Sequence, residues 1–250
     1  MEPKKVRGKR SFARPHGGPG VRGGRPLNRR GGRNNGPRPH QTPPPRPGLE
    51  SNAQPNGEDK IIPPLEAGNI RIIPLGGVEE IGRNMTMIEY GDDIVIVDCG
   101  FQFKEEETPG IDYILPNTKY LEDRAHKIRA MFITHGHLDH IGGIPYVIDR
   151  IGYPPLYTRR LTSVMIRKRQ EEFPHLKPLD IFEVEKDEVV RVGDMRVRFF
   201  SVFHTIPDSM GIVIESPYGD LVFTGDLRLD HIDGVPTETE DKEFAFFKDR

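Results

Sequence analysis

His135-Gly136-His137-Leu138-Asp139-His140 places three imidazoles and a carboxylate within six residues, a density that packing alone rarely explains. Neutral imidazole and carboxylate are the usual protein ligands of zinc and similar divalent ions, so the stretch reads as a metal site. Ahead of it, Ala130-Met131-Phe132-Ile133-Thr134 is a short apolar run with β character. Behind it, Ile141-Gly142-Gly143-Ile144-Pro145 and then Tyr146-Val147-Ile148 open a helix. The histidines therefore fall on a strand-to-helix turn, which can aim several side chains at one point, whereas a regular strand sends neighbours to opposite faces. A polar turn whose imidazoles cap a helix or face solvent would account for one His, but not for this set.

Two later segments each deliver one further ligand candidate from the end of a strand. Arg196-Val197-Arg198-Phe199-Phe200-Ser201-Val202-Phe203 reads as a strand leading to His204, and Asp220-Leu221-Val222-Phe223-Thr224-Gly225 as a short buried strand leading to Asp226. Taken singly these are an ordinary strand-end His and a turn Asp after glycine. They become candidates because they complete a set.

The surrounding pattern gives the class. Strands are expected near 70 to 75, 85 to 90 and 93 to 98, joined by turns such as Gly91-Asp92-Asp93, which indicates antiparallel hairpins. Further on, strands at Leu156 to Thr158, Ile181 to Val184, Val189 to Val192 and Met210 to Glu215 alternate with helices at Lys119 to Lys127 and Leu161 to Glu172. Hairpins combined with crossovers predict an α/β domain of two mixed sheets covered by helices. Lys242 to Arg250 has the mixed apolar and charged pattern of one more helix, running to the last residue without a stop signal, so the chain is expected to be a piece of a longer one.

Composition divides the chain unevenly. Met1 to Gly48 carries thirteen Lys or Arg against the single acid Glu2, a balance of +12, while the remainder stands at −14, which together make the net −2 of the whole. A segment so rich in Pro, Gly and Arg and so poor in apolar residues cannot bury enough surface to offset its ordering entropy, so residues 1–49 are expected to be a disordered basic tail. Residues 50–68, with Pro55, Gly57, Pro63, Pro64 and Gly68, read as a linker, leaving 69–250 as one domain. Arg22-Gly23-Gly24-Arg25 and Arg30-Gly31-Gly32-Arg33 resemble arginine-glycine RNA-binding tracts, whose cations contact phosphates with little sequence preference, and this resemblance makes Arg22, Arg25, Arg30 and Arg33 candidate RNA-binding residues. A merely solubilising tail would have the same composition.

Other features exclude more than they assign. Residues 1–30 hold no apolar core for a secretory signal, no later run approaches a membrane span, and a cytoplasmic location is expected. The tail has too many Pro and Gly for an amphipathic import helix. Cys99, the one cysteine, cannot form an intrachain disulfide; between Asp98 and Gly100 it reads as a small core residue without a catalytic role. Arg159, Arg160, Arg167, Lys168 and Arg169 form a charge run that is more simply a solvated helix face, and His126, His175 and His231 read as surface residues.

The order of motifs resembles a known family. His-x-His-x-Asp-His, then a lone His and a Thr-Gly-Asp, is similar to the metal-binding pattern of the metallo-β-lactamase superfamily, and Ile94-Val95-Ile96-Val97-Asp98-Cys99-Gly100 resembles that superfamily's first motif. Three stretches narrow the likeness to the ribonuclease J family: Ile73-Pro74-Leu75-Gly76-Gly77-Val78-Glu79-Glu80-Ile81-Gly82-Arg83-Asn84-Met85, Phe132 through Tyr146, and His204-Thr205-Ile206-Pro207-Asp208-Ser209. It runs from about Asn69 to the end of the chain.

The resemblance implies an αββα sandwich binding two divalent ions, zinc or alternatively manganese. It implies that His135, His137 and His204 hold one ion, that Asp139 and His140 hold the second, and that Asp226 bridges them. Asp98 would lie beneath and orient a ligand His, with Asp98 and Asp139 serving the catalysis of a water attacking an RNA phosphodiester. The implied activity is 5′-to-3′ exonuclease and endonuclease cleavage in RNA processing and decay, with RNA as partner, homodimers or homotetramers at full length, and no membrane. In the family a further His joins the second ion from beyond an inserted β-CASP domain; neither lies within these 250 residues, so the sandwich is expected to be incomplete. Two other readings stay open: a hydrolase of small thioesters or amides on the same fold, or an inactive RNA-binding remnant.

Overall fold

Ile94-Val95-Ile96-Val97 is apolar at every position, and only a strand covered on both faces needs that. In the computed structural model, which describes residues 62–103, 110–229 and 231–247, this segment is the fully buried strand β3 (Asp93–Val97). Ile94 and Ile96 point to one side and Val95 and Val97 to the other, so each face of the strand meets its own core.

Two strands precede it, β1 (Ile70–Gly76) and β2 (Met85–Tyr90), followed by β4 (Gln102–Phe103), β5 (Tyr113–Ile114), α1 (Lys119–Glu122) and β6 (Ile128–Phe132). Then come α2 (Leu138–Ile141), α3 (Ile144–Val147), β7 (Leu156–Thr158), α4 (Arg160–Gln170), β8 (Ile181–Glu183) and β9 (Val189–Val192). The last elements are β10 (Met195–Ser201), β11 (Met210–Glu215), β12 (Leu221–Phe223) and α5 (Glu238–Phe244).

Strands β1, β2 and β3 form an antiparallel meander, and β6, β7 and β8 extend it in parallel, giving a six-stranded sheet ordered β1-β2-β3-β6-β7-β8. A second, antiparallel sheet has the order β12-β11-β10-β9. Between the sheets pack Ile88, Val95, Val97, Ala130 and Phe132 from the first and Val197, Phe199, Met210, Ile212 and Ile214 from the second. The opposite face of the first sheet, with Met87, Ile96 and Met131, is covered by Ile141, Ile144, Val147 and Ile166 of α2, α3 and α4. Phe247 lies against Phe200, Val202 and Val213 on the outer face of the second sheet. The layers thus run helices, sheet and sheet, with the 3-10 turn Ala245–Phe247 that follows α5 against the outer face, in keeping with the αββα arrangement expected.

This topology brings the ligand candidates to one end. Strands β3 and β6 are parallel, so Asp98 and the turn after Phe132 leave the sheet on the same side. Strands β10 and β12 both run antiparallel to β11, so the segments carrying His204 and Asp226 also leave together. Met210 N–H donates to the Thr134 carbonyl at 3.0 Å and joins the two sheets at this end.

Some elements differ from the sequence expectation. The helix expected over Lys119 to Lys127 stops at Glu122 and resumes as a 3-10 turn, Ala125–Lys127, because Leu121 is its one fully buried apolar side chain and offers little packing to hold more turns. The helix expected from Lys242 begins earlier, at Glu238. Thr237 starts it through a capping box, its hydroxyl accepting from Glu240 N at 3.3 Å while the Glu240 carboxylate accepts from Thr237 N at 2.7 Å. Residues 1–61, and with them the basic tail, Arg22, Arg25, Arg30, Arg33 and most of the linker, lie outside the described residues.

Two glycines separate steric from conformational cost. A Cβ on Gly100 would lie 1.5 Å from the Asp139 carbonyl oxygen, an overlap that only backbone movement relieves, whereas a Cβ on Gly91 meets nothing within 4 Å and only the left-handed φ of +58° resists it. Gly100→Ala should therefore cost about 3 kcal/mol and Gly91→Ala about 1 kcal/mol. Urea denaturation of the two variants checks the order.

Candidate metal centre

Residues 134–140 build the centre in two local conformations. No helix or strand spans His135, Gly136 and His137; the two imidazoles meet, Nε2 to Nδ1 at 3.0 Å, while Gly136 lies against Met165, whose sulfur would be 2.5 Å from any Cβ there. His137 then caps α2 with φ −70° and ψ 152°; its backbone carbonyl takes the His140 and Ile141 N–H groups while its side chain makes no cap bond. Asp139 and His140, in the single turn of α2, complete the set.

Four side chains converge on one point. His137 Nδ1 lies 3.0 Å from His135 Nε2 and 3.1 Å from His204 Nε2, and Asp226 Oδ2 lies 3.9 and 3.6 Å from the same two histidine nitrogens. A tetrahedral ion bound at about 2.0 to 2.1 Å sets its donors about 3.4 Å apart, so this group fits a divalent ion. The chemistry agrees with the spacing: Nε2, Nδ1 and Nε2 of three imidazoles converge beside one carboxylate. Burial, and then the neighbouring His140, push His135 down to about 3. Burial likewise lowers His204. Both rings are thus kept in the form that donates a lone pair.

A second donor group shares Asp226. Its other oxygen, Oδ1, is 3.3 Å from His140 Nε2, which is 3.6 Å from Asp139 Oδ2. Asp226 therefore presents one oxygen to each group, and all donors within either group lie within 4.8 Å of one another. Gly225 permits this approach, since it passes so close to Thr134 that a Cβ would lie 2.8 Å from the Thr134 Cβ.

Beneath both groups lies a buried carboxylate. Asp98, at the end of β3 with a left-handed φ of +61°, accepts Thr134 N–H at 2.8 Å through Oδ1 and faces His140 Nδ1 at 2.8 Å through Oδ2. Nδ1–H donates to the carboxylate, which leaves Nε2 pointing at Asp139 and Asp226. Thr134 Oγ1 bonds the same carboxylate at 3.0 Å and reaches His135 Nδ1 at 3.0 Å, so one hydroxyl helps to aim a ring of each group. Burial opposes a charge on His140, but Asp98, Asp226 and Asp139 outweigh it and lift this imidazole to about 10, so in the ion-free centre Nε2 carries a proton aimed at Asp226 that a bound ion would displace. In return the hydrogen bond from His140 holds Asp226 down at about 2.

The seven residues singled out by sequence for the metal centre, Asp98, His135, His137, Asp139, His140, His204 and Asp226, meet here. His231 is outside both donor groups, with Nε2 3.8 Å from Glu240 Oε1. Cys99 is fully buried, and that burial drives its thiol pKa up, away from reactivity. In the charge run on α4, Arg167 donates to the Ile181 carbonyl, Lys168 pairs with Glu171 and Arg169 with Glu172. Sequence reasoning passed over Thr134 and Asn84, whose contacts exist only once β1, β3 and β6 are assembled. A cleft of about 290 Å³ opens beside the second group, lined by Gly77, Asn84, Thr86, His140 and Asp226.

Asp98→Asn tests the buried carboxylate. Asn tolerates the left-handed backbone as Asp does, so the fold should persist, but the amide cannot hold His140 as the carboxylate does. Metal affinity should fall about 10- to 100-fold, read by competition with a chelator.

Comparison with known proteins gives the family. The profile of the metallo-beta-lactamase superfamily matches residues 78–243. The chain is 42% identical over 169 residues to Ribonuclease J of Thermus thermophilus, covering 65% of this chain and 29% of that protein. It is 39% identical over 162 residues to Ribonuclease J2 of Bacillus subtilis, again 65% of this chain and 29% of the relative. Against Ribonuclease J of Corynebacterium glutamicum it is 40% identical over 178 residues, 70% of this chain and 24% of the relative. The chain thus spans less than a third of the length of these relatives. Among solved structures, a protein of unknown function from Enterococcus faecalis V583 superposes with a TM-score of 0.52 at 21% identity, over 70% of this chain and 46% of that one, which shows the shared fold. With the profile covering most of the sandwich and the His/Asp cluster at its open end, the chain belongs to the metallo-beta-lactamase superfamily.

Proposed function

We propose that this chain carries the hydrolytic centre of a ribonuclease that cleaves RNA phosphodiester bonds. The observation that carries the reading is the pair of donor groups joined through the two oxygens of Asp226. His135, His137 and His204 would hold one divalent ion and Asp139 and His140 the other, with Asp226 common to both groups. Zinc is the first choice for a set of imidazoles and carboxylates, and manganese suits the same donors. Such ions supply a water activated near neutral pH and charge stabilisation for the attacking and leaving oxygens of a phosphodiester.

The chain's own residues do the rest. Asp98 and Thr134 fix the tautomer and tilt of His140 and His135 before substrate arrives, so no reorganisation is needed during the reaction. The cleft beside the second group gives a phosphate a place next to Asp226 and His140. The ribonuclease J relatives support RNA as the substrate, with the 5′-to-3′ exonucleolytic and endonucleolytic cleavage that the motif resemblance implies. Outside the tail the chain is acidic, so the first 48 residues supply the positive charge that draws RNA in.

Removing His137 tests the centre, because its Nδ1 faces two other donors. His137→Ala should lose the first ion and RNA cleavage together, measured by metal content and by hydrolysis of a labelled RNA in the protein that carries this segment. Full cleavage by the variant would sink the assignment, and turnover of small thioesters without RNA cleavage would move it to another hydrolase. Replacing Arg22, Arg25, Arg30 and Arg33 together with Ala should flatten the slope of log affinity against log salt for single-stranded RNA by up to about 3. An unchanged slope in a filter-binding titration would reduce the tail to a solubilising role.

A further inference from the structure

The Gly76 to Asn84 stretch that links β1 and β2 belongs to neither donor group, yet its last residue reaches the second one. Asn84 Nδ2 lies 3.1 Å from the Asp139 backbone carbonyl, 3.4 Å from Asp139 Oδ2 and 3.1 Å from His140 Nε2. A carboxamide nitrogen has two hydrogens, and Asp139 offers an acceptor for each, its carbonyl and its carboxylate. His140 Nε2 does not compete for them: it donates toward Asp226 in the ion-free centre and would be taken up by an ion in the loaded one. We propose that Asn84 is a positioning residue for the second ion, its amide clamping the Asp139 carboxylate so that Oδ2 stays beside His140 Nε2 and Asp226 Oδ1. This rests on the two-ion reading above.

The loop is shaped for that task. Turning the amide over would set Oδ1 against the Asp139 carbonyl oxygen, two acceptors in contact, so Nδ2 must face Asp139. Oδ1 instead lies toward Gly77, where a Cβ would come within 2.4 Å of it. Gly77 has φ +85°, and its N–H donates to Glu80 Oε1 at 2.9 Å. Glu80 also accepts from Arg83 Nε at 3.0 Å, and these two bonds, Arg83 first, hold its carboxyl below the usual range. The loop is therefore closed on itself before it delivers Asn84. The Asn84 backbone is pinned separately, its N–H donating to the Asp139 carbonyl at 3.1 Å and its carbonyl accepting from Gly100 N–H at 2.9 Å. Those bonds survive any side-chain change, which lets the amide be tested apart from the fold.

The experiment is a calorimetric titration of the metal-stripped chain with zinc and, separately, manganese, for the unaltered chain, Asn84→Ala and Asn84→Ser. In Asn84→Ala the first ion should bind as before while the second weakens about 10- to 100-fold. Asn84→Ser, with one donor on a shorter arm, should fall between, and it decides the matter if the alanine variant does not fold. Gly77→Ala, which crowds Oδ1, should show the same selective loss. Unchanged second-ion affinity would overturn the proposal, as would an equal loss at both ions, which marks a structural role only. If the unaltered chain takes a single ion, the two-ion reading itself fails, and this inference with it.

Discussion

One carboxylate with nearly no exposure holds the centre together. Asp98 takes the Thr134 amide on one oxygen and His140 Nδ1 on the other, so the end of β3 and the turn after β6 cannot move independently. A buried carboxylate left with either partner missing would be costly, which is why the same few atoms enforce both the register of the turn and the aim of the ring. Thr134 extends the constraint in two directions, through its hydroxyl to His135 and through its carbonyl to Met210 on the second sheet. The left-handed backbone of Asp98 is strain held in place by this network, and it lies where the chemistry is.

The sandwich supplies the rigid frame. Strands β3 and β6 are packed on both faces, so their ends are fixed by two cores at once. Strands β10 and β12 contribute one ligand each from a sheet that meets the first through Phe132 and Phe199, whose ring centroids are 5.9 Å apart. Gly100, Gly136 and Gly225 let the backbone come close enough for four loops to share one small volume. The centre is thus a product of topology as much as of ligand choice.

Much of this was legible in the sequence, for physical reasons. The alternation and apolar density of β2, β3, β10 and β11 report their burial directly, and neither packing nor helix capping calls for His135, His137, Asp139 and His140 so close together. His204 and Asp226 could be proposed only as members of a set, because nothing local distinguishes them from ordinary turn residues. Thr134 and Asn84 fall inside the stretches that resemble the family, yet their roles were not legible: a threonine after an apolar strand and an asparagine after a glycine-rich loop gain their meaning from partners in distant segments. The start of α5 was missed for the opposite reason, since Thr237 and Glu240 form a local cap signature that was passed over in favour of the apolar pattern downstream.

The central claim is that Asp226 joins two ion sites through its two oxygens. Anomalous X-ray scattering from crystals of the zinc-loaded chain tests it most directly. The account predicts two peaks about 3.5 to 4 Å apart, one among His135, His137 and His204, the other beside Asp139 and His140, with Asp226 between them. A single peak, or two that Asp226 does not touch, would contradict it.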